Sequence, residues 1–325
     1  MMLPPALALV RDVARRARAR VLNPFDPPLV ILLYHRVCDL AHDPHRLAVP
    51  PALFRAQIER LRARMPIVRL DQRWPPRRGP AAAVTFDDGY ADNLEQALPI
   101  LESLEVPATF FITTGNVGDG HEFWWDELER LVQDGERPAR FRLEDPEHGG
   151  DWPSATDEER ARLLRELHAR VKYLDAARRA RWFAQLRGWA RTPLSTRPSH
   201  RPLTVDELRR LAASPWVTIG AHTVTHTRLA SLGIPIQRAE ITASRKQLEL
   251  WLGREVNAFS FPFGERRDFT SASVKLCRAA GFLHSATNVP GTCHRWTDPQ
   301  RLPRHVVRGW PADEFERRLG QFLLS

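Results

Sequence analysis

Short, predominantly apolar, β-rich runs, separated by helical patterns, constrain this chain more than any other feature. They lie at 30–34 (VILLY), 82–86 (AAVTF), 108–113 (ATFFIT), 217–221 (VTIGA) and 258–261 (AFSF), with weaker candidates at 284–287 (HSAT) and 302–307 (LPRHVV). Continuous rather than alternating apolarity marks strands covered on both faces, as in a parallel sheet flanked by helices. Leu53, Phe54, Ile58 and Leu61 share one helical face after Pro50 and Pro51, and Leu94, Leu98, Leu101 and Leu104 mark a second helix that ends at Val106–Pro107. Thr204 with Glu207, and Thr156 with Glu159, each read as a capping box. Strand and helix alternating over 325 residues predict an α/β fold, a TIM-like (β/α) barrel. The stretch from about 120 to 201 breaks the rhythm. It is rich in arginine with no clear strand, and is expected to be a helical insertion between two barrel strands. At its start, Trp124 and Trp125 either stack on a sugar ring or pin the insertion to the barrel.

The net charge is +9, and arginine supplies nearly all the positive charge because Lys172, Lys246 and Lys275 are the only lysines. Such a chain suits an anionic substrate, an acidic membrane surface or nucleic acid. No nucleic-acid motif accompanies the charge, so no nucleic-acid partner is expected. Cys38, Cys277 and Cys293 are odd in number and lack CxxC spacing, which fits a reducing compartment. Residues 1–28 read as a basic helical leader: an apolar run precedes the arginines, the reverse of a secretory signal. Such a leader suits a solvated arm first and peripheral contact with acidic headgroups second; a cytoplasmic location is the corresponding expectation. Oligomeric state is left open.

Chemistry-bearing residues gather where the apolar runs end, which in a barrel of this class is the mouth that carries the active site. Thr85-Phe-Asp-Asp-Gly-Tyr90 places two adjacent carboxylates, Asp87 and Asp88, after the second run, with Gly89 permitting a sharp turn. One aspartate can hold a metal while the other stays free as a base. Gly220-Ala-His-Thr-Val-Thr-His226 follows another run, and its His222 and His226 share one face if the segment makes a helical turn. Two imidazoles and one carboxylate form a frequent facial set for zinc or another divalent ion. Phe259-Ser-Phe-Pro-Phe-Gly264 adds an aromatic strand end, His35 ends the first run, and Leu302-Pro-Arg304 ends in a guanidinium able to orient a carboxylate.

In that order, TFDDGY at 85–90, HTVTH at 222–226 and FPFG at 261–264 resemble the polysaccharide deacetylases, the NodB-homology group of carbohydrate esterases. The resemblance runs from about 29 to 308, less the insertion, and implies a distorted (β/α)7 barrel. It implies that Asp87 is the general base, and that Asp88, His222 and His226 hold a divalent metal, typically zinc, with cobalt or nickel substituting. Tyr90, Pro262 and Phe263 are expected to bind or orient substrate. Many members carry an arginine before the proline of the third motif, where this chain has Phe259-Ser-Phe261; Arg304 is the expected replacement. The family's C-terminal leucine-x-histidine acid is also missing, although His284, His294 and His305 lie nearby. Tyr34-His35 is similar to the N-terminal motif of the exopolysaccharide-type branch, which makes His35 the expected general acid.

The implied reaction is hydrolysis of an N-acetyl group on an amino sugar of a polysaccharide, oligosaccharide or glycan precursor. Water attacks with Asp87 as base, a backbone N–H near Tyr90 helps hold the oxyanion, and His35 protonates the leaving nitrogen. Rival readings are a deformylase or O-deacetylase acting on a lipid-linked or nucleotide-linked sugar, and a non-catalytic carbohydrate-binding protein.

Overall fold

The computed structural model describes residues 19, 21, 23–70, 78–134, 137–192 and 195–325. Most of the leader, residues 1–18, 20 and 22, lies outside the described residues, and with it the expected headgroup contact. Among the described residues no helix is long and apolar enough to cross a membrane.

The strands, in chain order, are β1 Leu29–Tyr34, β2 Arg36–Val37, β3 Ala48–Val49, β4 Ala81–Phe86, β5 Ala108–Ile112, β6 Arg140–Leu143, β7 Gly150–Pro153, β8 Val217–Ala221, β9 Ala258–Ser260, β10 His284–Ala286 and β11 His305–Val306. Seven of those described form one sheet in the order β10-β9-β8-β5-β4-β1-β11. The pairings within it are parallel, from the full register of β1 on β4 (Leu29 opposite Ala81 through Tyr34 opposite Phe86) to β11 beside β1. The last segment joins the two sheet edges: Leu302 bridges to Ala286 of β10, and His305 pairs with Leu32 of β1. The α/β barrel expected from the apolar runs is thus present. The weak runs at 284–287 and 302–307 supply its closing strands.

Strand phase decides what each residue meets. Val30, Leu32, Tyr34, Ala82, Val84 and Phe86 pack outward among helix side chains, including Phe54, Ile58 and Leu61 of α1 (Pro51–Arg64) and Leu98 and Leu101 of α2 (Leu98–Ser103). Leu29, Ile31, Ala81, Ala83, Phe111, Ala258 and Ala286 form the opposite, inner cluster. Alanine recurs there because a barrel of about seven strands leaves little room on its axis. Alternate positions of β4 therefore face different cores although all are buried, and this makes the run read as continuously apolar.

The insertion departs from the expectation of a purely helical segment. It holds α3 (Trp124–Gln133), the antiparallel hairpin β6–β7, α4 (Asp157–Val171) and α5 (Ala176–Ala190). The hairpin escapes a sequence reading because its strands, RFRL and GDWP, lack β-branched residues and are half exposed. Phe141, Leu143 and Trp152 turn inward with Leu128, Leu131, Leu163, Leu167, Trp182 and Leu186 to form a second core. The capping boxes at Thr156 and Thr204 are both formed, the latter opening α6 (Val205–Ala213).

Candidate metal centre

The inward phase of β4, through Ala81, Ala83 and Thr85, continues to Asp87 at the strand's C-terminal end. There Arg304 closes a two-pronged ion pair, Nη1 to Oδ1 at 2.7 Å and Nη2 to Oδ2 at 2.7 Å. The guanidinium is fully buried; Nε donates to Thr287 O (3.0 Å), Nη1 also to Thr85 Oγ1 (3.2 Å), and the second Nη2 proton is shared between Ser260 Oγ (2.7 Å) and Asn288 Oδ1 (2.8 Å). Burial pushes the Asp87 carboxyl up, but Arg304 and His222 more than reverse it, so the group is held below the usual carboxylate range. Arg304 thus orients the Asp87 carboxylate directly.

Asp88 leaves the strand in the left-handed region, φ 80°, followed by Gly89 at 96°. A Cβ on Gly89 would also sit 3.1 Å from Ile112 Cδ1, so both the conformation and the space require glycine. Asp88 Oδ1 lies 3.4 Å from His226 Nε2 and 3.7 Å from His222 Nε2. The two histidines do not reach it through a helical turn, as their spacing suggested. Thr223 and His226 are both left-handed (65° and 49°), and the loop folds back on itself. Two outside residues brace it: Glu240, on α7 (Ile234–Leu252), accepts from Val224 N and Thr225 N at 2.9 Å each, and Arg179 of α5 donates to Thr225 O at 2.6 Å. Left-handed non-glycine residues cost free energy and persist where surrounding contacts over-determine them.

The donor set fits a divalent cation. Ligand atoms of Asp88, His222 and His226 lie within 4.8 Å of one another. A tetrahedral ion with bonds of roughly 2.0–2.2 Å needs ligands about 3.0–3.6 Å apart, so small adjustments suffice. Asp88 Oδ1 is buried with no hydrogen-bond partner, a costly state for an isolated carboxylate oxygen. Burial and the neighbouring Asp87 push Asp88 well above its ordinary range, and a cation would reverse that. Burial pushes both imidazoles down, keeping them neutral with a free lone pair. His222 Nδ1 lies 2.8 Å from Ser260 O; the N–H it directs there leaves Nε2 as the ligand atom.

A cleft of about 310 Å³ opens over this set, lined by His35, Asp87, Asp88, Trp125, Phe263 and Arg308 among others. His35 follows β1, and Asn93 Nδ2 holds its carbonyl at 3.0 Å. Burial pulls its imidazole down to about 4 against the pull of Asp87. The rings of Trp125 and Phe263 pack on His226 at 4.6 and 4.8 Å. Two expected substrate contacts lie elsewhere. Tyr90 is fully buried, its hydroxyl donating to Asp126 Oδ2 at 2.6 Å and accepting from Trp125 Nε1 at 2.7 Å, so it sets the position of Trp125. Pro262 is buried beneath the turn that presents Phe263. Trp124 and Trp125 belong to the insertion's core, and Trp125 also walls the cleft.

Sequence reading missed Glu240, Arg179, His168, Lys172 and Arg308. None sits in a recognisable pattern, and each reaches the mouth from a helix or loop distant in the chain. A second close set, Asp126, Glu129 and His200, lies outside this cleft. There Asp126 is bonded to Tyr90, and Glu129 is paired with Arg197 and His42.

Comparison with known proteins agrees with this geometry. Residues 75–199 and 179–283 match the family model described as polysaccharide deacetylase. A curated relative, the putative polysaccharide deacetylase YxkH of Bacillus subtilis, is 30% identical over 78 residues, covering 24% of this chain and 28% of that protein. Among solved structures, the polysaccharide deacetylase BC0361 of Bacillus cereus aligns over 92% of this chain and 70% of its own, with TM-score 0.59 and 17% identity. IcaB from Ammonifex degensii aligns over 92% and 97%, with TM-score 0.57 and 16% identity. At these identities the structural likeness establishes the fold.

Proposed function

The chain belongs to the polysaccharide deacetylase family, and from that premise we propose that it is a metal-dependent hydrolase removing N-acetyl groups from amino sugars of a glycan or glycan precursor. The observation that carries the reading is a division of labour between adjacent aspartates. Asp87 is gripped by Arg304 and kept ionised, whereas Asp88 presents an unpartnered oxygen to two neutral imidazoles. One carboxylate is prepared to take a proton, the other to bind a cation.

When bound by Asp88, His222 and His226, a divalent ion, zinc in the first instance and cobalt or nickel as substitutes, supplies Lewis acidity toward the acyl oxygen and the attacking water. Asp87 accepts the proton as water adds to the acyl carbon; Arg304 fixes the carboxylate's orientation and keeps it ionised at neutral pH. Trp125 and Phe263 narrow the mouth and exclude bulk water. The C–N bond breaks only if the nitrogen is protonated, because an amide anion is a very poor leaving group. His45, His168 and Lys172 also line the cleft, but outside the metal-holding set His35 is the group whose charge couples to Asp87. Since burial keeps it neutral at rest, the proton it passes to nitrogen is the one Asp87 has taken from water, and that transfer returns Asp87 to the carboxylate.

The test incubates zinc-, cobalt- and nickel-loaded protein with a panel of acetylated and formylated glycans and sugar precursors, scoring acetate, formate and new amine. Acetate with matching amine is expected, abolished by chelation and restored by metal. Formate alone would replace the reading with deformylation. No hydrolysis by protein carrying stoichiometric metal would reduce it to carbohydrate binding.

A further inference from the structure

Nearly every charge at the mouth has a partner. Asp87 is met by Arg304, Lys172 pairs with Asp268 at 3.3 Å, and Glu265 pairs with Arg267 at 2.9 Å. Arg308 is different. It lines the cleft beside His35, yet no carboxylate lies within ion-pair distance of it among the described residues: its bonds run to the backbone carbonyls of His45 and Arg46, with the charge of Arg46 and the opposite charge of Asp43 both acting on it from further off. Those two bonds hold the guanidinium, and Gln57 Nε2 fixes the residue's own carbonyl at 3.0 Å.

Arg308 also lines a second hollow of about 400 Å³ that shares Asn288 and Val306 with the catalytic cleft, so the two are neighbours with a common wall. No aspartate or glutamate side chain lines that hollow; Trp310 does, as does Arg318, whose charge is met by Glu314 and whose guanidinium lies over the Trp310 ring at 4.3 Å. An anchored guanidinium with no carboxylate in direct contact, between a deacetylation cleft and an aromatic hollow, suits a sugar carrying a negative group: the aromatic face takes the ring and the fork takes the anion. A partly buried cation is costly, and an incoming carboxylate or phosphate removes that cost.

We propose that Arg308 and the hollow it borders form an anion-recognition subsite, so that the substrate is an amino-sugar glycan bearing a carboxylate or phosphate next to the N-acetylated unit. This rests on the deacetylase reading for the meaning of the neighbouring cleft, but its test does not rest on turnover. Binding to the zinc-loaded full chain is measured by calorimetry for two matched pairs: chitotetraose against a hyaluronan tetrasaccharide, and N-acetylglucosamine against its 1-phosphate. The anionic member of at least one pair should bind about 10-fold tighter or more, with the advantage shrinking as salt rises. The carboxylate and phosphate arms identify the source of the charge. Arg308→Gln should erase the advantage and Arg308→Lys retain part of it, at unchanged metal content. Arg278→Gln, at an exposed residue that faces Asp298 and lines neither hollow, should keep it. Equal binding of neutral and anionic probes by the wild type, or an advantage surviving in Arg308→Gln, would overturn the proposal; should the glutamine variant not fold, Arg308→Lys alone decides, since an undiminished preference there leaves no role for the fork. Anion preference without hydrolysis of any probe would count against the deacetylase reading and leave the subsite standing.

Discussion

Two buried charged clusters lie close together and are finished differently. In a seam within the insertion, Glu122 accepts from Arg130 Nε at 3.2 Å and Arg197 Nε at 3.0 Å, and Glu127 is gripped by Arg187 at 2.7 and 3.0 Å. Each of these carboxylates is answered by a guanidinium. At the barrel mouth Asp87 is equally satisfied, but Asp88 keeps a buried oxygen with no partner and the His226 Nδ1 atom is likewise unmet. Neither cluster is fully bonded, since Arg130 Nη1 and Nη2 in the seam are also without hydrogen-bond partners. The difference is one of kind: the seam's unmet atoms are N–H donors of a guanidinium already facing carboxylates, whereas the mouth leaves a carboxylate oxygen beside two imidazoles, a set that can bind a cation.

That contrast can be broken by mutation. The largest effect should come from His222→Ala, which removes a ligand: elemental analysis should show metal lost, and activity should fall about 10³-fold or more with the Lewis acid gone. Asp87→Asn should lower turnover by about 10²–10⁴-fold while metal stays bound; wild-type turnover in that variant would contradict the base assignment. In the seam, Glu122→Gln strands buried guanidinium charge and should cost about 3–5 kcal/mol of stability by denaturant unfolding, with metal per folded molecule unchanged. If metal is lost as well, the two clusters are coupled and the contrast is too sharp. Glu240→Gln loosens the loop bearing both histidines and should weaken metal affinity about 10–100-fold, as removal of an outer-shell partner does.

The smallest effect concerns pH. His168, on α4, stacks on His45 at 4.7 Å, and burial pulls its imidazole down to about 4. Its folded value lies below that of the unfolded chain, so the unfolded state binds the proton first. The stability this contributes is present above about pH 6.5 and is lost as pH falls toward 4. His168→Gln should flatten part of that acid-side decline in melting temperature; an identical slope would remove His168 from the account.

Much of the barrel could be read in advance because strands buried on both faces leave continuous apolar runs, and the mouth could be read because Asp87, Asp88, His222 and His226 sit at the ends of those runs. The hairpin at 140–153 left no such trace, being short, half exposed and free of β-branched residues. Tyr90 looked like a substrate contact because it closes the TFDDGY motif, but its ring follows the backbone past Gly89 into the insertion, where Asp126 and Trp125 receive it. The spacing of His222 and His226 suggested one helical face. The observed loop reaches the same convergence through two left-handed residues, which local spacing cannot encode.

Local chemistry in the chain determined the element types, the strand ends that carry the candidate site and the choice of Asp87, Asp88, His222 and His226 as its proposed base and metal ligands, since each depends on neighbours a few positions away. Tertiary structure alone decided which aspartate is neutralised and which is left open. That choice belongs to Arg304, 217 positions from Asp87, brought to it by barrel closure because the last strand lies beside the first. Arg308 and Glu240 reached the mouth in the same way, through packing at long range where sequence distance carries no information.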